Sequence, residues 1–256
     1  MATQAEATTE VRLARAELEV ESRRYFSKQG NEIETASQRL LDESLIVFWL
    51  AAFSQQPEIL SSIRSTSHIL SSAIDASVSR SFLAGWERNA AMLGFDSLSG
   101  SVVARQHSVQ RAEDAMAQIE RTTRRELENL VNRTMERANI NVWDAVTAAT
   151  SALVLSAISN KYKRWGSYRS LLIGRTETDN AFEAGKFVLA QAAHAEGWVL
   201  EKFWRTMRDN RVMPICRHNE SDGWIPLLSQ FSSGHLHPLA HVGCRCWLLY
   251  RWVQRP

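Results

Sequence analysis

From about Glu10 to Ala195 the hydrophobic positions recur every three or four residues, the spacing that lays one apolar stripe along an α-helix. Residues 10–28 carry Leu13, Leu18 and Phe26 among charges and predict a first helix ended by Gly30, a residue that commonly closes helices. A second, more apolar helix is predicted over 36–53 with Leu41, Leu45, Phe48 and Leu50, stopping before Pro57 because the residue preceding proline avoids helical backbone. After Pro57 the series Leu60, Ile63, Ile74, Val78, Phe82 and Trp86 keeps helical spacing until GFDSLSG at 94–100. The clearest helix is 102–138, with Val109, Ala112, Met116, Ile119, Thr123, Leu127, Leu130 and Thr134 on its core face. Two more are expected at 142–165 and 168–195.

The pattern changes near Gly197. Only Pro57 precedes Pro214, whereas four of the five prolines and five of the nine tryptophans fall in the last 59 residues. VLEKFWRTM (199–207) and CWLLYRWV (246–253) are short, aromatic and branched, which predicts strands separated by irregular loops. The fold class expected is therefore mainly α with a small C-terminal α+β module, a short antiparallel sheet with Cys/His-rich loops. Residues 1–140 form the expected helical N-terminal region and 141–256 a second domain, with helices over 141–195 and the sheet over 198–256.

Composition adds mostly exclusions. The net charge of +2 over 256 residues gives no global field for nucleic acid or anionic membrane, although the residues from Trp198 onward hold a local surplus of four positive charges. The longest apolar run, Leu45–Phe53, is nine residues, where a span needs about 20, so no membrane span is expected. The polar, acidic start (MATQAEATTE) lacks a secretory signal and predicts synthesis in a cytosol. No GxxxxGK[ST] or GxGxxG loop is present, which argues against nucleotide hydrolysis. His194-Ala-Glu196 matches the H-x-E of zinc deaminases but lacks their P-C-x-x-C partner.

The densest set of potential ligands is Cys216, His218, His235, His237, His241, Cys244 and Cys246. Three cysteines cannot close into pairs, and thiolates with an imidazole are the donors that structural zinc prefers. Cys216, His241, Cys244 and Cys246 are the candidate zinc ligands, the alternative being a reduced, buried thiol cluster. An enzymatic alternative is a metal-dependent nuclease centred on His218 in Cys216-Arg217-His218-Asn219. Phe203-Trp204-Arg205 and Tyr250-Arg251-Trp252 could stack bases, or else alternate residues of these strands pack the core.

Taken together, Gly174-Arg175-Thr176-Glu177, Ala181 and Gly185, then Lys202-x-Trp204-x-Thr206-x-x-Asp209-x-Arg211-Val212, Cys216, and His237-Pro238-x-x-His241-x-x-Cys244-Arg245-Cys246, resemble the phage Mu F-like head morphogenesis (minor capsid) domain over roughly residues 165–250. Met213 stands where such proteins commonly have the first cysteine of C-P-x-C, and His237 where a proline is common, so a metal site here would need a histidine in place of one thiolate. The resemblance implies a non-enzymatic minor head protein, made in the bacterial host cytoplasm and placed in the virion head interior near the portal. It further implies several copies per virion, the portal protein and inner capsid or scaffold proteins as partners, contact with packaged DNA, and a role in head morphogenesis, packaging or ejection. Leu45–Phe53 and the 102–138 helix are the expected partner surfaces. From their positions on the last helix and the sheet, Arg175, Glu177, Asp209 and Arg211 are expected to form a buried ion network joining the two.

Overall fold

The computed structural model describes residues 9–42, 57–93, 100–138 and 148–254. Among these residues six long or medium helices come first: α1 (Thr9–Asp42), α2 (Pro57–Ser65), α3 (Ser67–Leu93), α4 (Ser101–Arg137), α5 (Ala148–Arg164) and α6 (Ser170–Ala195), with a π turn at Trp165–Arg169 between the last two. Strand β1 (Val199–Arg205), helix α7 (Pro214–Ser221), β2 (Trp224–Pro226) and β3 (Trp247–Gln254) follow. The chain is thus mainly helical with a small antiparallel sheet, ordered β2-β1-β3. The expected surface at Leu45–Phe53 lies outside the described residues.

The residues group into two units that do not follow the expected division at 140/141. One gathers Met1–Leu18, Ile74–Arg111 and Leu172–Pro256, and the other Glu19–Ala73 and Ala112–Leu171. Long helices bury apolar faces against residues far away in sequence, so α1, α3 and α4 each contribute residues to both units.

In the first unit, α3 and α6 touch backbone to backbone. A Cβ on Gly85 would lie 2.0 Å from the Phe182 carbonyl oxygen, and a Cβ on Gly185 2.0 Å from that of Phe82. Only glycine permits this reciprocal approach. Asn89 reinforces it, its side-chain amide donating to the Lys186 carbonyl at 2.6 Å. Beside the crossing sits a buried ion pair: Lys186 Nζ donates to both Glu183 oxygens at 3.0 Å and to the Leu248 carbonyl at 2.9 Å, while Glu183 Oε2 accepts the Leu248 N–H at 2.9 Å. The sheet is thereby tied to α6. Along β1 the alternating residues Leu200, Lys202 and Trp204 face the core, in the period-2 pattern that the base-stacking alternative opposed. Trp204 pairs in register with Leu248 and packs edge-on against Phe231 at 5.2 Å.

The second unit is organised on aromatic rings and one glutamine. Gln29 donates to the Tyr25 hydroxyl (2.6 Å) and the Ile63 carbonyl (3.0 Å), and accepts from the Tyr162 hydroxyl (3.1 Å). Arg169 donates to Thr123 Oγ1 and the Ile119 carbonyl, both at 2.9 Å, with its guanidinium over Phe26 and Trp165.

Several local expectations are corrected. α1 runs through Gly30, whose role is clearance and not capping: a Cβ there would meet the Tyr162 ring at 2.9 Å. The helix expected to run on from Pro57 breaks at Thr66, between α2 and α3. The gap foreseen at 165–168 is bridged by the π turn, so α5 and α6 follow without a loop. On α4 the buried positions are Ala104, Ser108, Ala112, Ala115, Met116, Ile119, Thr123, Leu127, Val131 and Met135; Val109 is exposed because Ser108 takes the inward position and donates to Asp75 at 2.5 Å. α7 was not foreseen. Its signal is Pro214 at the first helical position after extended Met213.

The glycine analysis makes a paired prediction. Gly185→Ala forces two backbones apart and should lower the unfolding free energy by about 3 kcal/mol. Gly166→Ala, with nothing within 4 Å of the new methyl, should leave stability unchanged or raise it by up to about 1 kcal/mol. Urea unfolding of both variants checks this, and equal effects would contradict it.

Candidate metal centre

Cys216 lies in the first turn of α7, where its N–H donates to the Met213 carbonyl at 3.0 Å. Cys244 closes a turn with its N–H donating to the His241 carbonyl at 3.2 Å, and Gly243 supplies the left-handed backbone (φ +71°) that the turn requires. The Gly243 N–H donates to Thr176 Oγ1 at 3.1 Å, pinning the turn to α6. Cys246 stands immediately before β3. All three thiols are free and buried, at 1%, 1% and 9% exposure in chain order.

Their sulfurs lie within 4.8 Å of one another, the sole such group of three His, Cys, Asp or Glu ligand atoms among the described residues. Cys216 Sγ is 3.7 Å from Cys244 Sγ and 3.2 Å from His241 Nε2. With Nδ1 of His241 donating to the Val242 carbonyl at 3.0 Å, Nε2 is left with its lone pair free to act as a ligand. Tetrahedral zinc with Zn–S bonds of about 2.3 Å separates its sulfurs by about 3.8 Å, so the observed spacing fits. The three sulfurs therefore converge and could hold a metal ion, while His241 Nε2 lies against Cys216 and outside that group. Hydrogen bonds from Cys216 and Cys246 lower the Cys244 pKa, whereas the same contacts raise the other two thiols. Without a cation, the crowding favours the thiolate at Cys244 and the protonated thiol at its two neighbours. A metal would displace those protons.

The remaining histidines are elsewhere. His218 is exposed on α7, His235 bonds Ser233 (2.9 Å), and His237 packs on Phe187 at 5.5 Å. Burial, partly offset by the Pro238 carbonyl, lowers the His237 pKa to about 4, so this ring is neutral near pH 7.

The expected ion network is not formed as such. Arg175 and Glu177 are two positions apart on a helix and so project from different sides. Glu177 instead pairs with Arg111, through Nε at 2.6 Å and Nη2 at 2.9 Å. Arg175 lies nearest Asp179, one turn on, at 3.7 Å. Asp209 pairs with Arg245 at 2.6 Å, which fixes the link between the last two cysteines, and accepts the backbone N–H of Arg211 at 3.0 Å. The Arg211 side chain is exposed. Thr206 and Arg208 converge on Glu220, at 2.5 and 3.0 Å. Of the partners missed from sequence, Asp179 had a local signal in its i,i+4 spacing from Arg175, whereas Arg111, Glu220 and Arg245 meet their groups only through tertiary packing.

No protein-family model, no curated protein and no solved structure matches this chain. Among the described residues no helix is long and apolar enough to cross a membrane.

The Glu177 site makes its own prediction. Burial raises the Glu177 pKa above 4.5 and Arg111 opposes that rise. Arg111→Met leaves a buried carboxylate unpaired and should cost about 3 kcal/mol near pH 7. With the folded pKa raised further, the native state binds the proton before the unfolded state does, so the deficit should shrink as pH falls toward 4.5. A deficit independent of pH between 7 and 4.5 would contradict this.

Proposed function

We propose that the chain is a non-catalytic minor head protein of a phage, of the Mu F-like kind it resembles, and that one zinc ion on Cys216, Cys244, Cys246 and His241 closes its C-terminal module. The supporting observation is that most of the residues carrying the resemblance are consumed by folding. Trp204 is fully buried, Thr206 and Asp209 are spent on Glu220 and Arg245, Gly185 lies in a backbone crossing, and the cysteines share one cluster. Such groups hold a module together and are not free to turn over a substrate.

Zinc would supply folding free energy by joining α7 to the segment before β3. Three thiolates and one imidazole fill a tetrahedral shell, which leaves no position for a reacting water. The nuclease alternative is correspondingly weakened, since His218 is exposed and outside the sulfur cluster. On this reading the protein is made in the bacterial cytoplasm and enters the head interior by contact with the portal and inner capsid proteins, alongside the packaged DNA.

Two measurements test the proposal separately. Purified without chelator, the protein should contain about one zinc per chain, and less than about 0.2 would remove the zinc assignment, because a closed site stays near full occupancy. Mass spectrometry of purified virions from the phage or prophage encoding this chain should find it in fewer copies than the major capsid protein, and cross-linked to the portal. Its absence from the particles would overturn the head-protein reading whatever the zinc content.

A further inference from the structure

The sulfur cluster has a second chemistry besides metal binding. Cys216 Sγ and Cys244 Sγ, at 3.7 Å, are in contact, roughly 1.7 Å farther apart than the atoms of a disulfide bond. Both thiols are free, and they belong to different elements. Cys216 sits in the first turn of α7, and Cys244 follows the turn that the Gly243 N–H pins to Thr176. Cys246 completes the group, its sulfur within 4.8 Å of the other two. A bridge from Cys244 to Cys246 would instead close a ring over one intervening residue, Arg245, whose guanidinium is already fixed by Asp209 at 2.6 Å. So tight a ring strains the disulfide torsion, and it would join no separate elements.

Access comes from the Cys246 side. With Met207, Arg245 and Trp247, Cys246 forms part of the wall of a cavity of about 260 Å³. A water takes up about 30 Å³ of liquid, so a molecule as small as hydrogen peroxide reaches the edge of the cluster without unfolding the module.

We infer that Cys216 and Cys244 are an oxidation site, closed by hydrogen peroxide to an intrachain disulfide. One thiol sulfur takes an oxygen as the O–O bond breaks and water leaves, giving a sulfenic acid. A neighbouring thiol attacks that sulfur, the S–S bond forms and a second water leaves. Two thiols are thereby oxidised by two electrons while one peroxide is reduced to two waters. Where the oxygen enters at Cys246, exchange among the contacting sulfurs carries the bridge to Cys216 and Cys244 and leaves Cys246 as the thiol. The bridge fastens α7 to the segment before β3, the same two elements that a metal on the cluster would join. The module thus has a covalent closure for conditions in which no metal is held. The inference goes beyond the proposed function and depends on neither the head-protein reading nor zinc.

The test uses the full chain as purified and hydrogen peroxide in small molar excess. After denaturation the remaining thiols are alkylated, and a non-reduced digest is read by mass spectrometry. The expected result is a peptide pair joining Cys216 to Cys244, an alkylated Cys246, a chain lighter by two hydrogens, and recovery of all three thiols with dithiothreitol. Any zinc present should be released as the bridge forms. Cys246→Ser should keep the bridge and Cys216→Ser should lose it. The same oxidation in urea should lose the selectivity, because only the folded chain holds Cys216 against Cys244. Mapping of the unmodified chain decides the question if a variant does not fold. Three alkylated cysteines, sulfinic acid without a bridge, a bridge between Cys244 and Cys246, or cross-links between chains would each overturn the inference. A chain purified without zinc that closes the bridge removes the zinc assignment and leaves this one standing.

Discussion

The close approach of α3 and α6 at Gly85 and Gly185 is the constraint on which the first unit depends. With any side chain at either position the two backbones would separate, because each Cβ would fall on the other helix's carbonyl. That separation would carry Glu183 and Lys186 away from Leu248, and with them the polar tie between α6 and β3. Because β3 begins immediately after Cys246, its placement also sets where two of the three sulfurs sit. The sulfur cluster is therefore geometrically downstream of a contact between two glycines that carry no chemistry of their own.

The Glu183–Lys186 pair occupies an unusual place in that sequence of dependence. Removing two charges from water is costly, and burial here lowers the lysine pKa while raising that of the glutamate. The cost is contained by saturation: Lys186 finds three acceptors, and Glu183 takes the Leu248 N–H as well as the ammonium. An apolar pair would fill the same volume at lower cost but would not discriminate between registers. The paired Leu248 N–H and carbonyl allow one, since a one-residue slip of β3 presents neither group and turns Leu248 out of the core.

Much of this was legible in the chain. Periodicity revealed the 102–138 helix to within a residue, and the strands at 199–207 and 246–253 to within two, because each buries one regular face over many positions. The cysteine cluster was legible for another reason: thiols and imidazoles are rare, and their crowding into the last 41 residues left few arrangements. What failed was glycine and charge. Gly30 reads as a cap until the Tyr162 ring is seen above it, since clearance and chain reversal call for the same residue. Arg175 and Glu177 are neighbours in sequence yet point apart on a helix, while Arg111 meets Glu177 across 66 positions through tertiary packing alone. Ion pairing depends on that packing, and no local pattern encodes it.

The loop that presents His241 shows how a segment with little core is held. Lys202, fully buried on the inward face of β1, donates to the Leu236 carbonyl at 2.8 Å and lies over the rings of Phe187 and Phe231. Burial lowers its pKa to about 8, so near pH 7 it remains largely a cation, with a carbonyl dipole and two aromatic faces in place of a carboxylate. His237, one residue beyond Leu236, is lowered by burial as well, but from a lower starting value, and stays neutral against Phe187. Two basic groups thus occupy one apolar region in different protonation states, because the same desolvation leaves the amine above neutral pH and takes the imidazole below it. Their joint effect is to fasten residues 236 and 237 to β1 and α6, four residues before His241. The imidazole therefore reaches Cys216 from a backbone anchored independently of the sulfurs, and to serve as a fourth ligand it would still have to close toward Cys244 and Cys246.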